Sequence, residues 1–157
     1  MKEVGKDFKG NVGLFLVASK LSAMNIIALT TSRNTKGYDI VVLNPETNKG
    51  KGIQVKCTDK KDFPVVNALL KTLHEELRNK IICDFVFVDI SDEPRFFVLS
   101  KDEVINIIET NTKEWLTMSK HSKPPEESNK RILHTIKLPS IEKYENNWNQ
   151  ILQELDN

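Results

Sequence analysis

The chain has 157 residues, the usual length of one domain, and its 23 Lys and Arg against 22 Asp and Glu give a formal net charge of +1. This balance excludes a global positive field, so a surface that binds nucleic acid has to be local. The sequence has no apolar run long enough to span a membrane, and its two cysteines, Cys57 and Cys83, lack the spacing of a disulfide scaffold or a zinc site. We therefore expect a single cytoplasmic domain over residues 1–157 with two free thiols.

The first third of the chain predicts one helix and three strands. Residues 11–24 predict a helix with Asn11 as its N-cap, because apolar residues recur there at helical spacing: Leu14, Val17, Leu21 and Met24. Runs of apolar and β-branched residues predict strands at 25–31, 38–43 and 52–58. The Pro, Asn and Gly residues at 44–50 predict a turn, which joins the second and third strands as an antiparallel hairpin.

The remaining two thirds predict further helices and strands in one α/β layer structure, a mixed sheet flanked by helices. The helices are expected where apolar residues recur every third or fourth position, and Ser100 is expected to cap one of them. The predicted elements are a helix at 65–80, strands at 84–90 and 95–99, a helix at 101–110, a polar loop at 119–131, a short strand at 132–138 and a closing helix at 140–155.

Three polar residues of the predicted hairpin come together on one face. With the turn centred between residues 47 and 48, Asp39 pairs with Lys56 and Val41 pairs with Gln54. Gln54 and Lys56 are two residues apart, so their side chains leave the strand on the same face, and cross-strand neighbours lie about 5 Å apart at Cβ. The hairpin is therefore predicted to gather a carboxylate, an amide oxygen and an ammonium group in one patch.

Such a patch suits the hydrolysis of a phosphodiester bond. A carboxylate and a carbonyl oxygen can hold Mg²⁺, which keeps several waters for the substrate phosphate and the nucleophile. A neighbouring lysine can orient the attacking water or offset the developing charge. The alternative stays open at this point, because an Asp near a turn and a Lys on an exposed strand are also ordinary surface residues.

The spacing of these residues resembles a known signature. Asp39, fourteen residues, then Gln54-Val55-Lys56 resembles the Asp…(Glu/Gln)-x-Lys motif of the PD-(D/E)XK nuclease superfamily, which includes type II restriction enzymes and archaeal Holliday junction resolvases. The order of elements over residues 10–90 is similar to the restriction-endonuclease-like αβββαβ core of that superfamily, with residues 91–157 as a C-terminal elaboration. Two further stretches are similar to patterns in its members: Gly10-Asn-Val-Gly13 followed by Val17-Ala18 and Leu21, and Tyr144-Glu-Asn-Asn-Trp148.

The resemblance implies a Mg²⁺- or Mn²⁺-dependent DNA endonuclease of the restriction or DNA repair and recombination type. It implies that Asp39, Gln54 and Lys56 are catalytic, and that Asp39, Gln54 and the backbone carbonyl of Val55 hold the metal. It also implies a homodimer, because cutting both strands of a duplex with one small domain usually takes two active sites.

Two departures from the family pattern predict a weak metal site. Leu14 stands where the first helix of many members offers a glutamate, and Gln54 replaces an acid with a neutral amide. The negative charge of the ligands largely sets the affinity for hard cations, and Asp39 is the only charged ligand of the motif. Asp59 and Asp62 are the candidates for a further acidic ligand. Both departures favour an alternative, a catalytically degenerate nuclease fold that serves as a DNA-binding or assembly module.

Basic residues around the hairpin are the candidate DNA contacts. We expect them to form a phosphate-binding rim, although each one also fits an ordinary solvated turn. A third hypothesis, an unrelated α/β interaction domain with a purely structural hairpin, stays open as well. The residues of the predicted rim are Arg33, Lys36, Lys49, Lys51 and Lys60.

Overall fold

The computed structural model describes residues 5–32, 37–118, 127 and 129–156. Short 3₁₀ helices at Leu70–Thr72 and Glu142–Tyr144 join some of its elements. The helices are α1 (Lys6–Ser22), α2 (Leu73–Lys80), α3 (Lys101–Thr117), α4 (Leu138–Ile141) and α5 (Asn149–Asp156). The strands are β1 (Ile27–Thr30), β2 (Ile40–Leu43), β3 (Gly50–Thr58), β4 (Asp62–Leu69), β5 (Asp84–Asp89), β6 (Arg95–Leu99) and β7 (Arg131–Lys137).

A five-stranded mixed sheet organises most of these elements. Its strand order is β1-β2-β3-β5-β6, with β3 and β5 parallel and every other neighbouring pair antiparallel. The predicted mixed sheet flanked by helices is confirmed. Between β3 and α2 the chain inserts β4, which pairs with β7 in a separate two-stranded antiparallel sheet.

The two faces of the five-stranded sheet are covered by different helices. On the first face, α1 and α5 pack over Ile40, Ile53 and Val86. On the second face, α2 and α3 pack over Phe85 and Phe87 of β5 and their neighbours on β6. Because side chains alternate between faces along a strand, these two clusters divide each central strand between them.

The predicted helix over 65–80 is only half right. Residues up to Leu69 belong to β4, and the helix begins at Leu73. Val65 and Val66 are β-branched residues that fit a pleated surface, and the pairing with β7 decides the outcome. Spacing by four residues also places alternate residues on one side of a strand, so the pattern did not distinguish the two structures.

The predicted closing helix over 140–155 is broken into α4, a 3₁₀ turn and α5. Asn146 interrupts it with a φ of 53°, in the left-handed region, and its N–H donates to the Phe96 carbonyl at 2.8 Å. Glu145 forms an isolated bridge with Phe97 of β6. The chain therefore docks on the edge of β6 at the point where a continuous helix would have passed over it.

Two helix ends test the predicted caps. The cap at Ser100 is confirmed: its hydroxyl accepts the Glu103 N–H, and the Glu103 carboxylate accepts the Ser100 N–H, a reciprocal capping box. The cap at Asn11 is wrong, because α1 begins at Lys6 and Asn11 lies within it. The strand predicted at 132–138 is confirmed as β7, while the loop predicted at 119–131 falls largely outside the described residues.

Close contact between α1 and β3 depends on one glycine. A Cβ atom added to Gly13 would lie 2.5 Å from the Cβ of Cys57 and 3.4 Å from Cγ1 of Val55, both on β3. Only a residue without a side chain lets the helix backbone approach the strand this closely. This contact sets the height of α1 above the strand that carries the Gln-x-Lys motif.

We predict opposite effects for alanine at the two glycines of α1. Gly13→Ala lowers the free energy of unfolding by about 1–3 kcal/mol, the usual cost of overpacking, because the new methyl group meets Cys57. Gly10→Ala is the matched control: nothing lies within 4 Å of its added Cβ, so it stabilises the helix by about 0.5–1 kcal/mol. Urea unfolding measures both, and a Gly13→Ala protein as stable as Gly10→Ala would contradict the packing described.

Candidate functional site

The hairpin of β2 and β3 has a register two residues away from the prediction. Ile40 pairs with Ile53 and Val41 with Gly52, so the predicted pairings of Asp39 with Lys56 and Val41 with Gln54 are wrong. The turn is shorter than predicted, because the Asn44 N–H already donates to the Lys49 carbonyl at 2.9 Å. A shift of two residues keeps every side chain on its predicted face, since the side-chain period of a strand is two.

The new register brings Asp39 into direct contact with Gln54. The Oδ2 atom of Asp39 accepts two hydrogen bonds, one from Nε2 of Gln54 at 2.7 Å and one from the Val55 N–H at 2.8 Å. The Asp39 N–H donates to the Ile53 carbonyl at 2.8 Å. Asp39 therefore continues the contact between β2 and β3 through its side chain, beyond the last regular pair of the ladder.

Thr31 fixes the backbone of Asp39 from the opposite side. Its hydroxyl is shared between the carbonyl oxygens of Tyr38 at 3.1 Å and Asp39 at 3.2 Å, and its N–H donates to the Asp39 carbonyl at 2.9 Å. Strand ends are otherwise free to fray, so these bonds hold the carboxylate in place. The sequence prediction did not include Thr31, and only its position at the end of a strand facing Asp39 could have indicated this role.

Asp39 lines a cleft of about 290 Å³ between α1 and the start of β2. Leu14 of α1 faces Asp39 across this cleft, and Val55 of β3 contributes a third wall. Leu14, the residue predicted to replace a metal-binding glutamate, therefore lines the same cavity as Asp39, the predicted metal ligand. The other described residues that line it are Gly10, Asn11, Thr31 and Ser32.

Lys56 lies on the second face of the sheet, beside Phe87 in the ladder, and is not among the described residues that line the cleft with Asp39. Burial lowers the pKa of Lys56 below its ordinary value, and the Asp39 carboxylate opposes the shift. The neighbouring thiol of Cys83 donates to the Gly37 carbonyl at 2.9 Å, and burial raises the pKa of Cys83 to about 11. The half-buried ammonium group of Lys56 therefore has less water around it than a surface lysine.

The residues present fit a partial shell for Mg²⁺. Both hydrogen bonds to the Asp39 side chain are accepted by Oδ2, so Oδ1 takes part in neither of them. The N–H and C=O of a strand residue point to the same edge of the strand, so the Val55 carbonyl points toward Asp39, as the Val55 N–H does. Gln54 turns its amide nitrogen toward Asp39, because a carboxylate can only accept and the amide must donate to it, so Oε1 is the atom of Gln54 that could bind a metal. Within the described residues no group of three or more His, Cys, Asp or Glu could hold a metal.

The two acids considered as additional ligands lie elsewhere. Asp59 pairs with Lys9 at 2.6 Å, and the hydrogen bond from that lysine lowers the pKa of Asp59. Asp62 is exposed at the start of β4, opposite Lys137 in the ladder. Neither residue lines the described part of the cleft.

The predicted basic rim is spread over the surface. Lys49 and Lys60 are exposed beyond the two ends of β3, which is about 30 Å long at 3.3 Å per residue. Lys51 is engaged by Asp84 and Glu154, each at 2.5 Å. Although burial alone would lower it, these hydrogen bonds raise the pKa of Lys51 above its ordinary value. Arg33 and Lys36 lie outside the described residues.

Comparison with solved structures supports the nuclease-like fold. The chain resembles a bacterial homing endonuclease, I-Ssp6803I, with a TM-score of 0.55 and 16% sequence identity, over 96% of this chain and 94% of that chain. No protein-family profile matches the sequence, and no curated protein matches it. At this identity the likeness shows a shared fold, and membership of the PD-(D/E)XK superfamily stays a prediction. None of the described helices has the length and apolar character needed to cross a membrane.

We predict that Leu14→Glu tightens Mn²⁺ binding about tenfold, roughly 1.4 kcal/mol, because it adds a carboxylate across the cleft from Asp39. Phe15→Glu is the matched control, since it adds the same charge one residue along α1 at a side chain that is 63% exposed. Calorimetric titration of the free proteins measures both affinities. Equal effects of the two variants would contradict a specific site, and a loss of stability without a change in affinity would make Leu14 a purely structural residue.

Proposed function

We propose that this chain is a Mg²⁺-dependent DNA endonuclease, and that the metal site becomes complete only when a substrate phosphate enters the cleft. The observation that carries the proposal is the position of Asp39 opposite Leu14, in a chain that shares the fold of a homing endonuclease along almost its whole length. Mg²⁺ commonly binds through one or two carboxylates, with waters and substrate phosphate filling its remaining positions. A single carboxylate is therefore compatible with this function.

Each residue of the proposed site has a distinct role. Asp39 and the Val55 carbonyl would hold the ion, which polarises a phosphoryl oxygen and acidifies a bound water. Gln54 donates a hydrogen bond to the Asp39 carboxylate and orients it, and the Thr31 hydroxyl donates to the Asp39 carbonyl and holds the backbone of that residue. Lys56 lies on the second face, and its ammonium group still interacts with the Asp39 carboxylate, so it would offset the negative charge that grows on a scissile phosphate bound beside Asp39.

A second candidate function is a DNA-binding or assembly module that has lost catalysis. Leu14 leaves the cleft without the acid that many PD-(D/E)XK members carry, and Gln54 presents its donor to Asp39. Both features lower the negative charge available to a metal. The two candidates differ in one measurable property, metal-dependent cleavage of DNA.

The proposal includes a homodimer in the cytoplasm. Cutting both strands of a duplex with one 157-residue domain calls for two copies of the cleft. The cytoplasmic location rests on the composition and on the two free thiols, Cys57 and Cys83. The exposed Lys49 and Lys60 are the described residues proposed to contact DNA phosphates; Arg33 and Lys36 are proposed from the sequence alone.

We predict that Lys56→Ala lowers the rate of metal-dependent DNA cleavage by about 10² to 10³, the usual loss when a group that stabilises transition-state charge is removed. DNA affinity should change little, because ground-state binding is spread over other residues. Asp39→Asn should also abolish cleavage, but by loss of metal, so excess Mn²⁺ should restore part of its activity and none of that of Lys56→Ala.

Two exposed positions supply the controls. Lys71→Ala and Asp92→Asn remove the same charges at exposed residues outside the cleft, and both should cleave at the wild-type rate. Cleavage is measured on duplex, branched and single-stranded DNA with Mg²⁺ and with Mn²⁺. If the wild-type protein cleaves none of these substrates but binds them, the enzyme proposal fails and the DNA-binding module replaces it.

A further inference from the structure

The second face of the sheet is open at β1 and β2. Ile27 pairs with Leu43 and Leu29 with Val41, so these four apolar side chains share that face. Ile27 is 40% exposed and Leu29 is 56% exposed. In the part of the chain that the structure describes, β1 packs extensively only against β2 and α1. Because α1 lies on the first face, it does not cover these side chains. An apolar sheet face ordinarily packs against another layer.

Among the residues that the structure describes, no strand pairs with the outer edge of β1. β1 is the terminal strand of the five-stranded sheet. The Thr31 N–H points toward β2, because it donates to the Asp39 carbonyl. Since the direction of the backbone groups alternates from residue to residue along a strand, the N–H and C=O of Ala28 and Thr30 point away from β2. Such a row of donors and acceptors is a template for pairing with another strand.

The chemistry of this edge selects its partner. Natural edge strands are usually blunted by lysine, proline or a bulge, whereas the four residues of β1 are Ile, Ala, Leu and Thr, without a charge or a proline. DNA binding draws on cations, which β1 does not supply. A partner has to match both an apolar face and an antiparallel backbone edge, and the same strand of a second copy meets both requirements.

We propose that two copies of this chain associate through β1, edge to edge and antiparallel, about a two-fold axis perpendicular to the sheet. The interface is isologous, with Ala28 of the two copies facing each other and Ile27 of each copy packed against Leu29 of the other. An axis in this direction keeps the apolar second faces of both copies on one side. The two five-stranded sheets join into one sheet of twice that size.

β1 would be the surface through which the homodimer of the proposed function forms. The pairing of β1 rests on that proposed function only for the role of the dimer, which is to cut both strands of a duplex. Its physical basis is the exposed edge and apolar face of β1. The experiment therefore runs on the full chain without DNA or metal, so that loss of the nuclease activity and loss of the dimer are separate outcomes.

The first measurement is the mass of the particle by sedimentation velocity across a dilution series. Wild-type protein should be dimeric, and Leu29→Lys should raise the dissociation constant roughly 30-fold or more, as for a central interface residue. Leu133→Lys is the matched control, because Leu133 is 58% exposed on β7 of the other sheet, and it should leave the dimer unchanged. A monomeric wild type, or a Leu29→Lys protein as dimeric as Leu133→Lys, overturns the proposal.

The second measurement uses the wild-type protein alone and so does not depend on whether a variant folds. Hydrogen exchange of the Ala28 and Thr30 amides should slow at least tenfold between the dilute and the concentrated protein, because their N–H groups bond across the seam. The Ile27 and Leu29 amides, which point toward β2, are internal controls and should not change. Exchange of Ala28 and Thr30 that is independent of concentration contradicts pairing through β1.

Discussion

The Asp39 carboxylate joins the two strands on which the candidate site is built. Its Oδ2 atom accepts from the Val55 N–H and from Gln54, so the start of β2 is held against the middle of β3 where the regular ladder has ended. Charge-assisted bonds of this kind are stronger than neutral ones. Thr31 and the close approach of α1 at Gly13 then define the cleft around a carboxylate that is already oriented.

The parts of the fold that depend on local pattern were predictable from the sequence. The strand predicted at 52–58 and the cap predicted at Ser100 each depend on residues a few positions apart, and both predictions are confirmed. The helix predicted over 65–80 failed because β4 is stabilised by β7, at the far end of the chain, and spacing within 65–80 contains no information about that partner. The break at Asn146 likewise depends on a contact with β6.

The sequence was sufficient to predict which side chains of the hairpin share a face of the sheet. The two-residue error in register left Asp39 and Gln54 together, because the side-chain period of a strand is two. Partners were not predictable: the engagement of Lys51 by Asp84 and Glu154 requires β5 and α5 to meet beside β3. The contact between the Gln54 amide and Asp39 also depends on the register, which the turn at Asn44 determines.

In the proposed function, DNA completes a metal site that the protein alone leaves short of negative charge. Calorimetric titration of Mn²⁺ into the wild-type protein, with and without a duplex whose phosphates resist cleavage, tests this claim directly. We predict that the duplex tightens Mn²⁺ binding by about tenfold or more, and that Mn²⁺ tightens DNA binding by the same factor, because coupling between two ligands is reciprocal. Mn²⁺ affinity that is the same with and without the duplex would contradict a metal site completed by DNA.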